Sequence, residues 1–278
     1  MSKSYKLLLL TIVFLLGFKS SVFSQQNAPQ APQWWLTNSL KHNNLPEGTL
    51  FHAQGDYSFY HSTGQVTAYI HKGAPQFFVR NGRLQLSAFG TISYQKLQVQ
   101  SRPATRTKAF EANPKLIYDL IPAVQWEGGV LWEKNEAQYL DKRAAYYTGL
   151  IYNNMEHKTL GKLYFLAFGY QDVKSTVLPQ NLGVIEEQKP IFYAQQTFVF
   201  KTIPRVNLSE SLVFIKELDS GGAYRVDLNL RAMYQLSKHI SGMIQYQFKY
   251  EDAPLIPELA PFYEKQNTAL TFGVRFNY

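Results

Sequence analysis

Residues 264–278 read EKQNTALTFGVRFNY, and their alternation decides how the rest of the chain is understood. Phe272, Val274, Phe276 and Tyr278 alternate with Thr271, Gly273, Arg275 and Asn277. Side chains on a strand point to opposite faces with period two, so one face of this segment is apolar and the other polar. A half-buried strand of a soluble sheet carries the same pattern, and alternation alone does not say which face meets water.

Position and composition separate the two. A last strand that ends on an aromatic ring, with apolar residues at each second position before it, has the form of the assembly signal of bacterial outer-membrane β-barrels. Phe272, Val274, Phe276 and Tyr278 are then the residues offered to the barrel-assembly machinery. Hydrophobic residues make up 45% of the chain and aromatics 15%, yet the mean hydropathy of -0.25 is that of a soluble protein. A barrel reconciles these values, because half of every strand faces lipid and half a polar interior. There is no cysteine, which excludes thiolate metal sites, disulfide frameworks and a lipid-modified N-terminal cysteine.

The start of the chain assigns the compartment. Lys3 and Lys6 precede Leu7 to Phe18, twelve apolar or small residues, and Val22-Phe23-Ser24 follows. A membrane helix needs about 20 apolar residues, so this is read as a secretory signal cleaved after Ser24. Loss of Lys3, Lys6 and Lys19 takes the formal net charge from +8 to +5, and no run of Lys or Arg remains to bind nucleic acid. Residues 25–49 are a Gln/Pro-rich linker and periplasmic lead-in, whose Trp34-Trp35 pair rests either at the inner membrane surface or inside the barrel as a plug.

From residue 50 to 278 strand-like segments alternate with turn signals. Twelve are expected, at about 50–61, 65–80, 83–100, 106–121, 123–135, 142–153, 160–172, 190–203, 205–217, 222–236, 238–251 and 265–278. With the C-terminus in the periplasm the even-numbered connections are periplasmic and should be short. They fall at Asn81-Gly82, Ile121-Pro122, 153–159, Ile203-Pro204 and Ser237-Lys238. The odd-numbered ones include the two longest, Val173 to Lys189 and Glu251 to Glu264, both containing proline. The fold class is thus an all-β, transmembrane, antiparallel up-and-down barrel of about 12 strands, monomeric and in contact with outer-membrane lipid.

Alternation assigns the faces. Phe110, Ala112, Leu116, Tyr118 and Leu120 oppose Glu111, Asn113, Lys115 and Asp119. Val124, Trp126, Val130 and Trp132 oppose Gln125, Glu127 and Glu133. Tyr224, Val226, Leu228, Leu230 and Tyr234 oppose Arg225, Asp227, Asn229 and Arg231, and Ile244, Tyr246, Phe248 and Tyr250 oppose Gln245, Gln247 and Lys249. Segments 190–203 and 205–217 alternate poorly: Gln195 and Gln196 leave the first undecided, and Glu210 interrupts the lipid row of the second.

Gly55-Asp56-Tyr57-Ser58-Phe59, the turn Ser62-Thr63-Gly64, and the closing run from Tyr250-Glu251-Asp252-Ala253-Pro254 into Thr268 to Phe276 resemble the salt-induced outer-membrane proteins of the YdiY-like type, the domain of unknown function 481. Gln65 stands where that pattern has Asn. The resemblance, over roughly Gly55 to Tyr278, implies a closed outer-membrane barrel and no established enzymatic activity.

An outer-membrane phospholipase needs Ser, His and an orienting group together on the outer wall. His61-Ser62 is the one adjacent pair at a predicted loop, but neighbours on a strand point opposite ways. No two histidines have helical ligand spacing, so neither a metal nor another cofactor is expected. The chemistry left is the inward row Glu111, Lys115, Asp119, Glu127, Glu133, Arg225, Asp227, Arg231, Lys249 and Arg275. Buried charges of both signs either pair, wiring a narrow barrel shut, or line a path for small solutes or ions. The apolar content of the two long loops offers a second reading, a surface binding module.

Overall fold

The computed structural model describes residues 36–42, 48–62, 66–99, 104–136, 140–176, 184–203, 205–219, 222–237, 239–252 and 266–277. Among them lie twelve strands: β1 (Thr49–Ser62), β2 (Val66–Asn81), β3 (Leu84–Val99), β4 (Thr105–Ile121), β5 (Val124–Asn135), β6 (Leu140–Asn154), β7 (Leu160–Thr176), β8 (Val184–Phe200), β9 (Val206–Glu217), β10 (Tyr224–Gln235), β11 (Ile240–Glu251) and β12 (Gln266–Asn277). Each pairs antiparallel with the next, and β1 closes the ring on β12, with Gln54 opposite Asn277 and Phe59 opposite Phe272. Closure gives every strand a partner on both sides, the condition for a sheet to live in lipid, with the β1–β12 seam running from Gln54 to Phe59. A tilted strand crosses a bilayer in about 9–11 residues, so strands of 12 to 17 residues overrun it.

Alternation sorts the side chains as a membrane barrel requires. Phe51, Phe168, Leu166, Phe272 and Ile92 are 56–66% exposed on the outer face. Asp119, Gln125, Glu127 and Glu133, one position out of phase with the exposed Leu116, Tyr118, Leu120 and Trp132, are buried on the inner one. In β8 the register settles the ambiguous pair. Gln195 points inward beside Thr197 and Ser211, and Gln196 therefore lies on the outer face. Glu210 of β9 stands opposite Leu230 and Phe198 on that outer face.

The connections at one end are tight. The β2–β3 loop is Gly82-Arg83, one residue later than the expected Asn81-Gly82, because Asn81 already pairs with Leu84. Gly82 takes φ 55° there, a conformation that costs glycine nothing. The β4–β5 loop places Ala123 at φ 70°. At the opposite end the structure corrects one expectation. Residues 173–176 and 184–189, read as parts of an outside loop, are strand: β7 and β8 stay paired from Leu160 opposite Phe200 to Thr176 opposite Val184. Pro190 does not break β8, because it occupies an exposed outward position opposite Tyr170. The remaining parts of the two long loops, 177–183 and 253–265, lie outside the described residues, as do Ser24, Trp34, Trp35 and Tyr278.

The interior is not polar throughout. Ile117, Leu131, Ala145, Tyr147, Ile151, Phe165, Ala167, Ile191, Tyr193 and Ile215 form one buried apolar cluster on the inner wall of β4 to β9. Tyr147 stacks on Tyr193 with ring centroids 5.2 Å apart, and Phe165 packs against both at 5.6 and 5.4 Å. Gly129 makes room for the stack, since a Cβ there would lie 2.7 Å from the Tyr147 Oη.

Candidate functional site in the barrel interior

Polar side chains on the inner wall fall into three tiers between the tight-turn end and the long-loop end. The first tier, at the tight-turn end, is built on Asp119, the last inward charge of β4 and 0% exposed. Its carboxylate accepts from Arg80 Nη1 of β2 at 3.1 Å and from Gln125 Nε2 of β5 at 2.6 Å. Arg80 Nε and Nη2 also reach Gln85 Oε1, at 3.0 and 2.7 Å.

The N-terminal approach enters this tier. Ser39 donates its backbone N–H to Asp119 at 2.8 Å and its hydroxyl to the same oxygen. Arg80 Nη2 donates to the Thr37 carbonyl at 3.0 Å, and Asn153 Nδ2 to the Leu36 carbonyl at 3.1 Å. Asn38, wholly buried, donates to the carbonyls of Ile121 and Val124 at the β4–β5 turn, while its Oδ1 caps the N–H of Leu40. That cap sits at the start of the short 3-10 helix Ser39–His42. Residues 36–39 are therefore a plug segment anchored on the inner wall at the tight-turn end by the side chains of Arg80, Asp119 and Asn153 and by the carbonyls of Ile121 and Val124.

The second tier is a set of separate pairs. Lys115 meets Glu127 at 3.1 Å and lies 5.1 Å from the centre of the Phe89 ring. Tyr147 Oη lies 3.0 Å from the Asn113 side-chain amide and 3.3 Å from Glu127, tying the aromatic stack to the charged residues. Across the barrel Asp56 of β1 takes Arg275 through two bonds, 2.5 and 2.7 Å, and Arg231 at 3.2 Å. Lys72 donates to Gln247 Oε1 at 3.0 Å. Among the described residues Lys72, Lys249 and Glu111 form no ion pair.

The third tier, towards the long-loop end, is the most densely charged. Glu133 accepts two bonds from Arg225, at 2.9 and 3.0 Å, and one from Arg143 at 3.0 Å. Arg225 turns its remaining donors to Asp227, at 2.6 to 3.1 Å, and Arg143 reaches Glu251 at 2.6 Å. Fork-shaped guanidinium pairing of this kind fixes geometry as well as charge. Beyond it Lys189 bridges Glu187 and Glu217 at 2.9 and 3.0 Å.

Of the ten charges singled out in the sequence, Lys115, Asp119, Glu127, Glu133, Arg225, Asp227, Arg231 and Arg275 enter these pairs, whereas Glu111 and Lys249 stand on the inner wall outside them. Sequence reasoning missed Asp56, Lys72, Arg80, Arg143 and Glu251. The alternation of Asp56 and Ser58 with Tyr57 and Phe59 was a usable signal. For Arg80 none existed, because Phe78 shares its face. In the closing strand Phe272 and Phe276 are exposed on the outer face while Arg275 points inward. His61 and Ser62 end β1, and their side chains lie outside the described set. No cluster of three His, Cys, Asp or Glu suited to a metal ion occurs among the described residues.

Comparison with known proteins adds a family and a set of architectures. The family model described as "Protein of unknown function, DUF481" matches residues 57–278. The NanC porin is similar in structure at 9% identity, over 80% of this chain and 98% of that one, with a TM-score of 0.49. The translocator domain of the autotransporter NalP from Neisseria meningitidis is 10% identical over 87% of this chain and 93% of its own, with a TM-score of 0.42. An anion-selective porin from Comamonas acidovorans is 8% identical over 83% and 99%, at 0.39. No curated protein matches the sequence.

Proposed function

The chain belongs to the DUF481 family of proteins of unknown function, and on that premise we propose that it is a non-enzymatic barrel of the Gram-negative outer membrane that passes ions or small polar solutes by a narrow path. The observation that carries this reading is the inner wall: charges of both signs, from Asp119 to Glu133, stand on the inner face of a closed ring alongside the aromatic cluster. A purely structural interior would pair all of them, since an unpaired charge in a low-dielectric shell is costly. Among the described residues Lys72, half-buried on the inner wall, has Gln247 Oε1 as a partner but no ion pair, and a hydrated path satisfies it, while Lys249 stands exposed further along the inward row. In this reading the tight-turn end, with its plug, faces the periplasm, the long-loop end faces outward, and the chain reaches the membrane by a cleaved signal. A salt-related role, which the resemblance to the salt-induced proteins implies, belongs to the same proposal.

The test is single-channel conductance of the refolded mature chain in a planar bilayer under a salt gradient. Steady openings are expected, and Lys72→Glu and Lys249→Glu should each move the reversal potential towards cation preference, because charge on a narrow wall sets selectivity. Openings whose reversal potential ignores both substitutions would place the path elsewhere; a folded barrel that never opens would end the proposal.

A further inference from the structure

At the long-loop end of β3, β4 and β5 the outer face changes character. Below it the face is apolar: Ile92 and Trp132 are exposed, and Phe110 packs edge-on against Trp132 with ring centroids 5.1 Å apart. Two residues further along β4 and β5, and four further along β3, the same face turns basic. Lys96 of β3 stands directly opposite Arg106 of β4, Tyr94 opposite Lys108, and Phe110 opposite Lys134 of β5. Like charges placed opposite each other on neighbouring strands repel. Nothing among the described residues relieves them, because none of the four side chains forms an ion pair.

The neighbouring strands show that the same end neutralises its cations where an acid is available. Lys142 of β6 is paired with Asp172 at 2.6 Å, and Lys174 of β7 with Glu186 at 2.7 Å. Beside the basic group, Glu136 accepts the backbone N–H of Lys108 at 2.9 Å rather than its ammonium, and Asp141 of β6, in the strand next to Lys134, forms no ion pair with any of the four. The result is four uncompensated cations on three adjacent strands, directly above an aromatic band.

We propose that this face binds a phosphorylated glycolipid of the outer leaflet, with the lipid's phosphates between the cations and its acyl chains on the aromatic band below. Neighbouring strands lie about 4.8 Å apart and alternate residues about 6.7 Å, so the four cations spread over the span of a headgroup bearing two phosphates. An anion inserted between Lys96 and Arg106 converts a repulsive cross-strand pair into a bridged one. The aromatic band supplies the amphipathic level at which membrane barrels meet the headgroups. The assignment rests on the outer-membrane orientation proposed above, since in the opposite orientation the same face would meet periplasmic-leaflet phospholipid.

Native mass spectrometry of the refolded mature chain with diphosphoryl lipid A, dephosphorylated lipid A and phosphatidylglycerol tests it. Diphosphoryl lipid A should bind preferentially, and Lys96→Gln combined with Arg106→Gln should weaken it by roughly tenfold or more, the scale of removing two cations that face an anionic lipid. Lys142→Gln combined with Lys174→Gln should leave binding unchanged. Equal retention by both double variants, or phosphatidylglycerol binding as tightly as lipid A, overturns the proposal. Heat-modifiable mobility on electrophoresis verifies that each variant is folded, and conductance of the same samples separates a failed rim from a failed pore.

Discussion

Asn38→Ala combined with Ser39→Ala is expected to raise single-channel conductance severalfold while leaving the barrel folded. Asn38 contributes two donors to the carbonyls of the β4–β5 turn, and Ser39 two donors to the buried Asp119 carboxylate. A neutral hydrogen bond is worth about 0.5–1.5 kcal/mol net, and one to a charged group about 1.5–3. The double variant keeps the backbone N–H of residue 39 but loses three side-chain bonds to the barrel wall and the Asn38 cap on Leu40, and with them much of what offsets an ordering cost of about 1–2 kcal/mol per residue. Asp119 keeps Arg80 and Gln125, so the barrel wall does not carry an orphaned charge. Asp119→Ala should act differently. It leaves Arg80, 1% exposed, without its carboxylate, at a cost of about 3–5 kcal/mol in unfolding free energy. Arg80→Met with Asp119→Leu should recover most of that stability without restoring the plug, because Ser39 has lost its acceptor and Thr37 its donor. Conductance that stays at the wild-type level in the first variant, with residues 36–42 newly open to protease, would mean that the segment caps the wall without closing the path.

How much of this arrangement could be read from the sequence depends on contrast between the two faces of a strand. In β10 the contrast is complete: Tyr224, Val226, Leu228 and Leu230 against Arg225, Asp227, Asn229 and Arg231 leave one register and one inward row. In β7 it vanishes, because Phe165 and Ala167 are as apolar as Leu166 and Phe168. Only the closed pairing, Phe165 opposite Ile151 and Gln195, decides that Phe165 joins the inner cluster. The aromatic wall of the interior was illegible for that reason. The extension of β7 and β8 was not legible because the proline within 173–189 reads as a loop signal for the whole stretch, whereas the pairing continues to Thr176 opposite Val184 and Lys174 with Glu186 carries the hairpin on. The plug is a third kind of case. Leu36 to Ser39 has no periodicity at all, and what places it is the fit of two side-chain amides, Asn38 and Asn153, to backbone carbonyls more than eighty residues away.

Glu133→Gln is expected to destabilise the barrel by about 3–5 kcal/mol, the cost of breaking a buried charge network from its centre. Glu133 is 8% exposed and takes three of the guanidinium donors in the third tier. Its replacement by a neutral amide leaves Arg143 and Arg225 facing each other across the lost charge, with only Glu251 and Asp227 to hold them apart. Glu111, which stands opposite Glu133 in register, is the one acid placed to compensate, so Glu133→Gln in a Glu111→Gln background should be worse than the sum of the two single changes. Salt separates this mechanism from a surface effect. Screening hardly reaches a buried pair, and the loss should persist in 1 M salt on the order of its low-salt value. Lys174→Gln, which removes the exposed pair with Glu186, should by contrast shift the urea midpoint little and not at all at high salt. If the Glu133 effect disappeared with salt as well, the third tier would be open to bulk electrolyte. The path would then be wide at the long-loop end, with the plug at the opposite mouth as the principal barrier to flow.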